Sequence, residues 1–379
     1  MDFKSLKYYY EKYLSGEGEQ VDNRQRINLS DYSVSVITND MDIFYDSGRD
    51  LAGREQANSL SRYINQVIKN FREDSVASTA QLIAREESKY QKILGNALGN
   101  RECTRLLVKD YEKTLAEKRD ALIKLKGRSV NVRISKENME YLLSPEAQAN
   151  APYYKSGRIG LFLKVLLEEY ASKPFTERER IYFKDIFDTV HAAIRDRKLL
   201  KIILHRFKRT NEALTRPSVY LKPYAILEDA GKQYNYIVGY YSKDMKEPYT
   251  PYSVRLTSVL QCRKLGYAGV ISGKETHKLE SQIEELGVQY AGSNRPERVI
   301  VELTEAGERL YRKILLQRPM YYQAEEKNLP ARTHCFHCSA FQAKVYFARF
   351  GKEARILAPE KLAAEFKAYF EEAARRYRE

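Results

Sequence analysis

Residues 334–338 read His-Cys-Phe-His-Cys, the densest group of metal-binding side-chain types in the chain. A structural zinc wants four ligands in a tetrahedron, usually drawn from two knuckles. On a strand these five side chains would alternate between faces. The next histidine back is His277, and no second cysteine pair exists. Strand packing, with no metal, is therefore expected. A Cys–His nucleophile pair has no third member indicated by spacing. The glycine-containing run GYAGVISG (266–273) lacks the Lys-Ser/Thr of a phosphate-binding loop. His205 stands beside Arg206, Lys208 and Arg209, with no second acid–base group in reach along the sequence. The expectation is a non-enzyme with no catalytic residues and no cofactor.

A different chemistry is written more strongly. Lys222 to Leu256 alternates tyrosines and cations on short apolar runs, with a polar turn at Glu228-Asp229-Ala230-Gly231. Arginine gives bidentate contacts to phosphate and stacks on bases, and tyrosine offers a stacking face and a hydroxyl. The candidate ligand-binding residues are His205, Arg206, Lys208, Arg209, Tyr220, Lys222, Tyr236, Arg255 and Arg263. Arg255 ranks first, because a cation between Val254 and Leu256 on a half-buried strand is costly unless paired or functional. Tyr236 shares a strand face with Tyr234 and Val238, so either core packing or base stacking suits it. The chain carries 65 Lys and Arg against 51 Asp and Glu, a net charge of +14. Residues 186–265 hold fifteen of those cations and seven of the acids, so over half of the excess sits in about a fifth of the chain. That favours a polyanionic partner.

These residues need elements to position them. A chain of 379 residues exceeds one ordinary core and implies two to four domains. No apolar run approaches the roughly 20 residues of a membrane span. The start has no signal-peptide core, and four scattered cysteines fit a reducing cytoplasm. Residues 1–25 read as a tyrosine-rich tail. Two stretches then share a pattern, one near 32–72 and one near 128–172. Each opens with strict alternation, Tyr32 to Ile37 in the first and Ser129 to Ile134 in the second, and continues with two helical patterns. The outward side chains would be Ser33 and Ser35 in one, and Ser129, Asn131 and Arg133 in the other. Ser156 is a candidate N-cap for the last helix of the second copy. Between the copies, Val76 to Lys126 reads as helix, broken at Gly95 and Gly99, with an apolar stripe through Leu106, Leu107, Tyr111, Leu115 and Leu122. Thr176 with Glu179 suggests a capping box opening a linker helix in 175–199. A strand is expected from Leu200 to Lys208. After a connector at 271–296, residues 297–379 alternate strands and helices in the order of a ferredoxin-like sandwich. Their terminal helix gathers Leu362, Phe366, Tyr369 and Phe370 on one face.

The segment from Pro223 through Asn235-Tyr236-Ile237, Val238-Gly239-Tyr240 and Arg255-Leu256 resembles the WYL domain, a small β-rich ligand-sensing and nucleic-acid-binding module of Sm/SH3-like barrel type. The name-giving triplet appears here as Asn-Tyr-Ile, and Tyr252 stands where the family often has a second arginine. The resemblance spans 200–270, implies ligand contacts at Arg255 and on the first strand, and makes 297–379 a dimerising C-terminal extension. The two strand-helix-helix copies resemble the ribbon-helix-helix family, whose paired strands enter the DNA major groove. The copies would pair within the chain or across a homodimer, and the ribbon would read nucleic acid or serve pairing alone. A multidomain α+β chain in this order, with 26–174 as its helical ribbon region, resembles the WYL-domain accessory proteins of type VI-D CRISPR systems. That implies a homodimer that binds single-stranded RNA and stimulates an RNA-guided ribonuclease effector. A ligand-responsive DNA-binding transcriptional regulator, with duplex DNA as partner, is the alternative. A purely structural interaction protein is a third reading.

Overall fold

The computed structural model describes residues 23–44, 60–95, 98–150, 159–205, 208–210, 213–215, 217–229, 231–290, 297–314, 317–321 and 329–378. The chain divides into two compact units, Met1–Lys184 and Asp185–Glu379. Both mix helices with antiparallel sheets, as a multidomain α+β chain should. Residues 1–22 of the expected tail and the candidate cap Ser156 lie outside the described residues. No described helix is long and apolar enough to cross a membrane.

The first unit is built on a two-stranded antiparallel ribbon, β1 (Arg24–Ser30) against β2 (Gly127–Arg133). The two strands therefore pair within one chain. Helices α1 (Asp31–Phe44) and α2 (Leu60–Phe71) follow β1. An antiparallel hairpin, α3 (Thr79–Leu94) and α4 (Leu98–Lys124), separates them from β2. Helices α5 (Lys136–Leu143), α6 (Pro145–Gln148) and α7 (Ile159–Ser172) follow β2.

The first strand is displaced from its expected place. Tyr32 to Ile37 is not a strand but the start of α1. The buried residues Ser33, Ile37, Asp40 and Phe44 recur at helical spacing, which the local alternation of serine and valine hides. Ser30 caps α1 by accepting from the Ser33 N–H at 3.1 Å. Ser33 does not point outward: it is 1% exposed, and its hydroxyl donates to Glu168 at 2.6 Å.

Helix α7 is buried almost all round, including three charged residues that each serve another helix end. Glu168 accepts from the Ser30 N–H (2.5 Å) and hydroxyl (2.7 Å) at the start of α1. Glu169 accepts from the Ser75 hydroxyl and the Val76 N–H ahead of α3, and from Lys118 of α4. Lys164 donates to the carbonyls of Ile123 and Leu125 at the end of α4. Acids at helix starts and a cation at a helix end match the sign of the helix dipole. A second buried network joins Asp40 of α1, Tyr63 of α2, Tyr170 of α7 and Arg178, which grips Asp40 with two bonds of 2.6 and 2.9 Å.

The linker helix differs from expectation. It is two helices, α8 (Phe175–Tyr182) and α9 (Lys184–Arg195), and α8 starts after Pro174 with no side-chain cap. Proline already fixes the entry, and Thr176 and Glu179 are buried inside the first turns. Gly95, at φ +74°, ends α3 as expected, but Gly99 sits within the first turn of α4. On α4 the expected stripe is covered at Leu115, whereas Leu106 is 58% exposed.

The second unit holds a five-stranded antiparallel sheet in the order β8-β7-β6-β3-β9. Its strands are β3 (Lys198–Leu204), β6 (Ser218–Glu228), β7 (Asn235–Ser242), β8 (Thr250–Arg255) and β9 (Val259–Ala268). The expected strand 200–208 ends at Leu204, and a separate hairpin, β4 (Lys208–Thr210) with β5 (Ala213–Thr215), follows. Pro223 and Gly239 face each other where β6 bulges. A Cβ on Gly239 would lie 2.1 Å from the Lys222 carbonyl oxygen, so the close approach of β6 and β7 requires glycine. Helix α10 (Gly273–Leu286) then opens with a Ser272–Glu275 capping box.

The last part runs β10 (Glu297–Leu303), α11 (Glu305–Lys313), β11 (Met320–Tyr321), β12 (Thr333–Cys338), α12 (Ala340–Phe347), β13 (Ala354–Ala358) and α13 (Glu360–Arg376). The sheet order is β11-β12-β10-β13, all antiparallel. Its core joins Val299, Val301, Phe336, Phe347, Leu362 and Phe366. Phe370 packs against that core, while Tyr369 of the same helix is exposed.

Candidate nucleic-acid interface

Directly opposed residues on antiparallel neighbours share a face of the sheet. Tyr236, Val238, Tyr240 and Ser242 of β7 therefore project together. Arg255 is opposite Tyr236, Lys222 opposite Tyr240, and Tyr220 opposite Ser242. The same face continues across β3 and β9 through Lys201, which is opposite both Tyr220 and Arg263. Most of the sequence-predicted cations and tyrosines thus occupy one face, in three distinct settings.

At one end, the Arg255 guanidinium lies 4.3 Å from the ring centroid of Tyr234 and donates from Nε to the Tyr236 hydroxyl at 3.1 Å. Burial lifts the Tyr236 phenol above the ordinary tyrosine range, so it meets the guanidinium as a neutral acceptor. Asp229 shapes the turn that delivers Tyr234, accepting from the backbone N–H groups of Gln233 and Tyr234. Arg255 is thereby held in a fixed direction with its side chain partly in solvent.

The middle of the face is roofed. Leu279 and Ile283 of α10 pack on Tyr236, Val238 and Tyr240. The Tyr240 hydroxyl donates to the Glu275 carbonyl at 3.0 Å, and Tyr224 donates to Glu280 at 2.5 Å. Tyr236 is 4% exposed and serves as core and as the anchor of Arg255, not as an open stacking platform. Lys222 lies against the roof's edge, bonded to Glu247 at 2.7 Å and 4.1 Å from the Tyr249 ring.

At the other end Tyr220 and Lys201 are half-buried and Arg263 is exposed. Tyr220, Lys201 and Arg263 form a row across β6, β3 and β9, with the Lys201 ammonium 5.8 Å from the Tyr220 ring. His205 lies just past β3, its N–H donating to the Ser258 carbonyl. Lys208 and Arg209 belong to the β4–β5 hairpin, and Arg206 lies outside the described residues. Lys201 was not singled out from the sequence. The criterion that selected Arg255, a cation flanked by apolar residues on a strand, would have found it between Leu200 and Ile202.

The ribbon of the first unit presents a second polar face. Ser129, Asn131 and Arg133 are exposed, as the alternation of β2 predicts. Their partners are Asn28, Arg26 and Arg24, also exposed, while Ile27, Leu29 and Val132 point to the core. The ribbon face therefore carries three arginines, where the displaced first strand had suggested Arg133 alone.

The remaining candidates are packed into other work. Cys335 and Cys338 are buried, and His334 faces Glu308 at 3.3 Å. Among the described residues no group of three or more His, Cys, Asp or Glu could hold a metal. Burial pushes the thiols of Cys262 and Cys338 up to about 12, which leaves neither as a thiolate near neutral pH.

Fold and site together define a two-unit α+β protein with a basic-aromatic sheet face and an arginine-bearing ribbon. Neither a family model nor a curated protein matches the chain. Among solved structures, a CRISPR Cas-related protein shares the fold across 96% of both chains, with a TM-score of 0.71 and 23% sequence identity. Proteasome accessory factor B/C (PafBC) of Arthrobacter aurescens aligns over 66% of this chain and 37% of its own, at a TM-score of 0.25 and 19% identity.

Proposed function

We propose that this chain is a WYL-domain accessory protein that holds single-stranded RNA on the basic-aromatic face of its five-stranded sheet and stimulates an RNA-guided type VI-D CRISPR ribonuclease. The observation that carries the reading is the gathering of Arg255, Lys201, Tyr220 and Arg263 on one sheet face, in the most basic fifth of the chain. Its fold likeness to a CRISPR Cas-related protein along nearly its whole length supports the accessory role. Phosphate contacts and base stacking suit unpaired strands of many sequences. On this reading the first unit is ribbon-helix-helix-like, and residues 297–379 form a ferredoxin-like extension through which two copies associate. The protein raises effector activity by holding RNA and performs no catalysis of its own.

The test is competition of labelled single-stranded RNA against duplex DNA at several salt concentrations. RNA-preferring binding that weakens steeply with salt is expected. Tight, sequence-dependent duplex binding would overturn the reading.

A second reading has one specific observation behind it. Arg24, Arg26 and Arg133 line the exposed ribbon face beside Asn28 and Asn131, the side-chain types that read base edges. A DNA-binding regulator would use that face. Replacing the three arginines with alanine should then abolish duplex binding while leaving single-stranded RNA binding intact.

A further inference from the structure

Like charges directly opposite each other on neighbouring strands repel. Lys201 and Arg263 are such a pair, the first half-buried and the second exposed. Two other cations of this sheet have carboxylate partners, Lys222 with Glu247 at 2.7 Å and Lys264 with Asp196 at 2.5 Å. Among the described residues no carboxylate forms an ion pair with Lys201 or Arg263. The fold therefore retains a repulsive pair that an anion lying between the two head groups would convert into an attraction.

The third member of the row gives that anion a shape. Tyr220 flanks Lys201 on the side away from Arg263. Adjacent strands stand about 4.8 Å apart, so the row spans roughly 10 Å at right angles to the strands. A stacked base at one end and its phosphate at the other fit that length. Nothing in the row presents the fixed pattern of donors and acceptors that would select one base.

We infer that Tyr220, Lys201 and Arg263 hold one nucleotide of unpaired RNA, its base stacked on Tyr220 and its phosphate shared by the two cations. This rests on the RNA-binding reading and relocates its main grip. Arg255 has its Nε committed to Tyr236 and its face to Tyr234, and it lies on the far side of the α10 roof. It orients the strand, and the Tyr220–Lys201–Arg263 row supplies the affinity.

The experiment uses the full chain and a fluorescein-labelled oligouridylate, titrated across a salt series. Wild type is compared with the Lys201→Gln/Arg263→Gln double variant, with Tyr220→Ala, and with Tyr220→Phe. The double variant should lose at least about tenfold in affinity, and its log–log salt slope should fall by about 0.7, the value for one phosphate on a single strand. Tyr220→Ala should lose at least about fivefold, and Tyr220→Phe should bind as wild type, because the ring face does the stacking. Melting temperature should be unchanged or raised in the double variant, since a repulsion is removed, which separates lost binding from lost fold. Wild-type binding with an unaffected double variant overturns this inference alone. A slope change of about 1.4 gives each cation its own phosphate and overturns the single-nucleotide form. No binding by wild type overturns the RNA reading itself.

Discussion

Arg255 and Tyr236 divide labour in a way that decides how each should be tested. The arginine is partly solvated, while the tyrosine is core. Tyr236→Phe keeps the ring under α10 and removes only the acceptor for Nε, so melting should shift by the equivalent of about 1–3 kcal/mol at most. Tyr236→Ala opens a cavity beneath α10 and should destabilise by about 3–5 kcal/mol, so any loss of binding there reports unfolding. Arg255→Ala should weaken RNA binding without lowering the melting temperature by a comparable amount. The cysteines offer an independent check on burial. Cys103 is exposed, whereas the thiols of Cys262 and Cys338 are lifted to about 12 by burial. A thiol protonated to that pH is a poor nucleophile, so alkylation of the native protein at pH 8 should modify Cys103 and spare the other two. Peptide mapping after brief alkylation reads this directly, and fast modification of Cys262 would contradict the packing of β9.

Helix α7 organises the first unit, and its acids act at a distance. Glu168→Ala would orphan the Ser30 N–H and two hydroxyls, each worth about 1–3 kcal/mol when buried unpaired. Thermal denaturation should show a loss of several kcal/mol, far more than a surface change. Arg178→Ala would leave the Asp40 carboxylate buried without its cation and should cost about 3–5 kcal/mol. The paired phenols of Tyr63 and Tyr170 set a pH limit. Burial holds both well above the ordinary tyrosine value of 10.0. An acid whose folded pKa is raised contributes stability below its unfolded pKa and loses it as pH rises. The unit should therefore weaken above about pH 10, and Tyr170→Phe should blunt that slope. The same helix explains what local pattern hid. Arg24 to Ser30 has only two apolar residues, Ile27 and Leu29, so it reads as polar, while Tyr32 to Ile37 alternates like a strand. What settles the matter is Glu168, 135 residues from Ser33 in sequence, and no window of local pattern contains that contact. By contrast β6 and β7 are legible because their alternation and the Pro223–Gly239 pair lie within one short segment, whereas the third strand, read from the sequence as Tyr252 to Val259, is Thr250–Arg255 and gives way to a 3-10 turn at Leu256–Ser258. The α10 roof was not legible, since nothing in Gly273–Leu286 names the face it covers.

At the scale of the whole molecule, five cations of this +14 chain stand in two groups, the three ribbon arginines and the two of the sheet-face row. General attraction of a basic protein for polyanions would act through both and fade with salt. Under the proposed function unpaired RNA binds the sheet, and the ribbon is dispensable for it. Added protein should raise target cleavage by an RNA-guided effector, and the Lys201→Gln/Arg263→Gln variant should lose most of that stimulation. The most direct measurement is photocross-linking of 4-thiouridine-substituted single-stranded RNA to the full chain, followed by mass-spectrometric mapping of the adducts. Cross-links on β3, β6 and β9, at peptides bearing Lys201, Tyr220 and Arg263, are the predicted result. Cross-links confined to the ribbon strands Arg24–Ser30 and Gly127–Arg133 would contradict it.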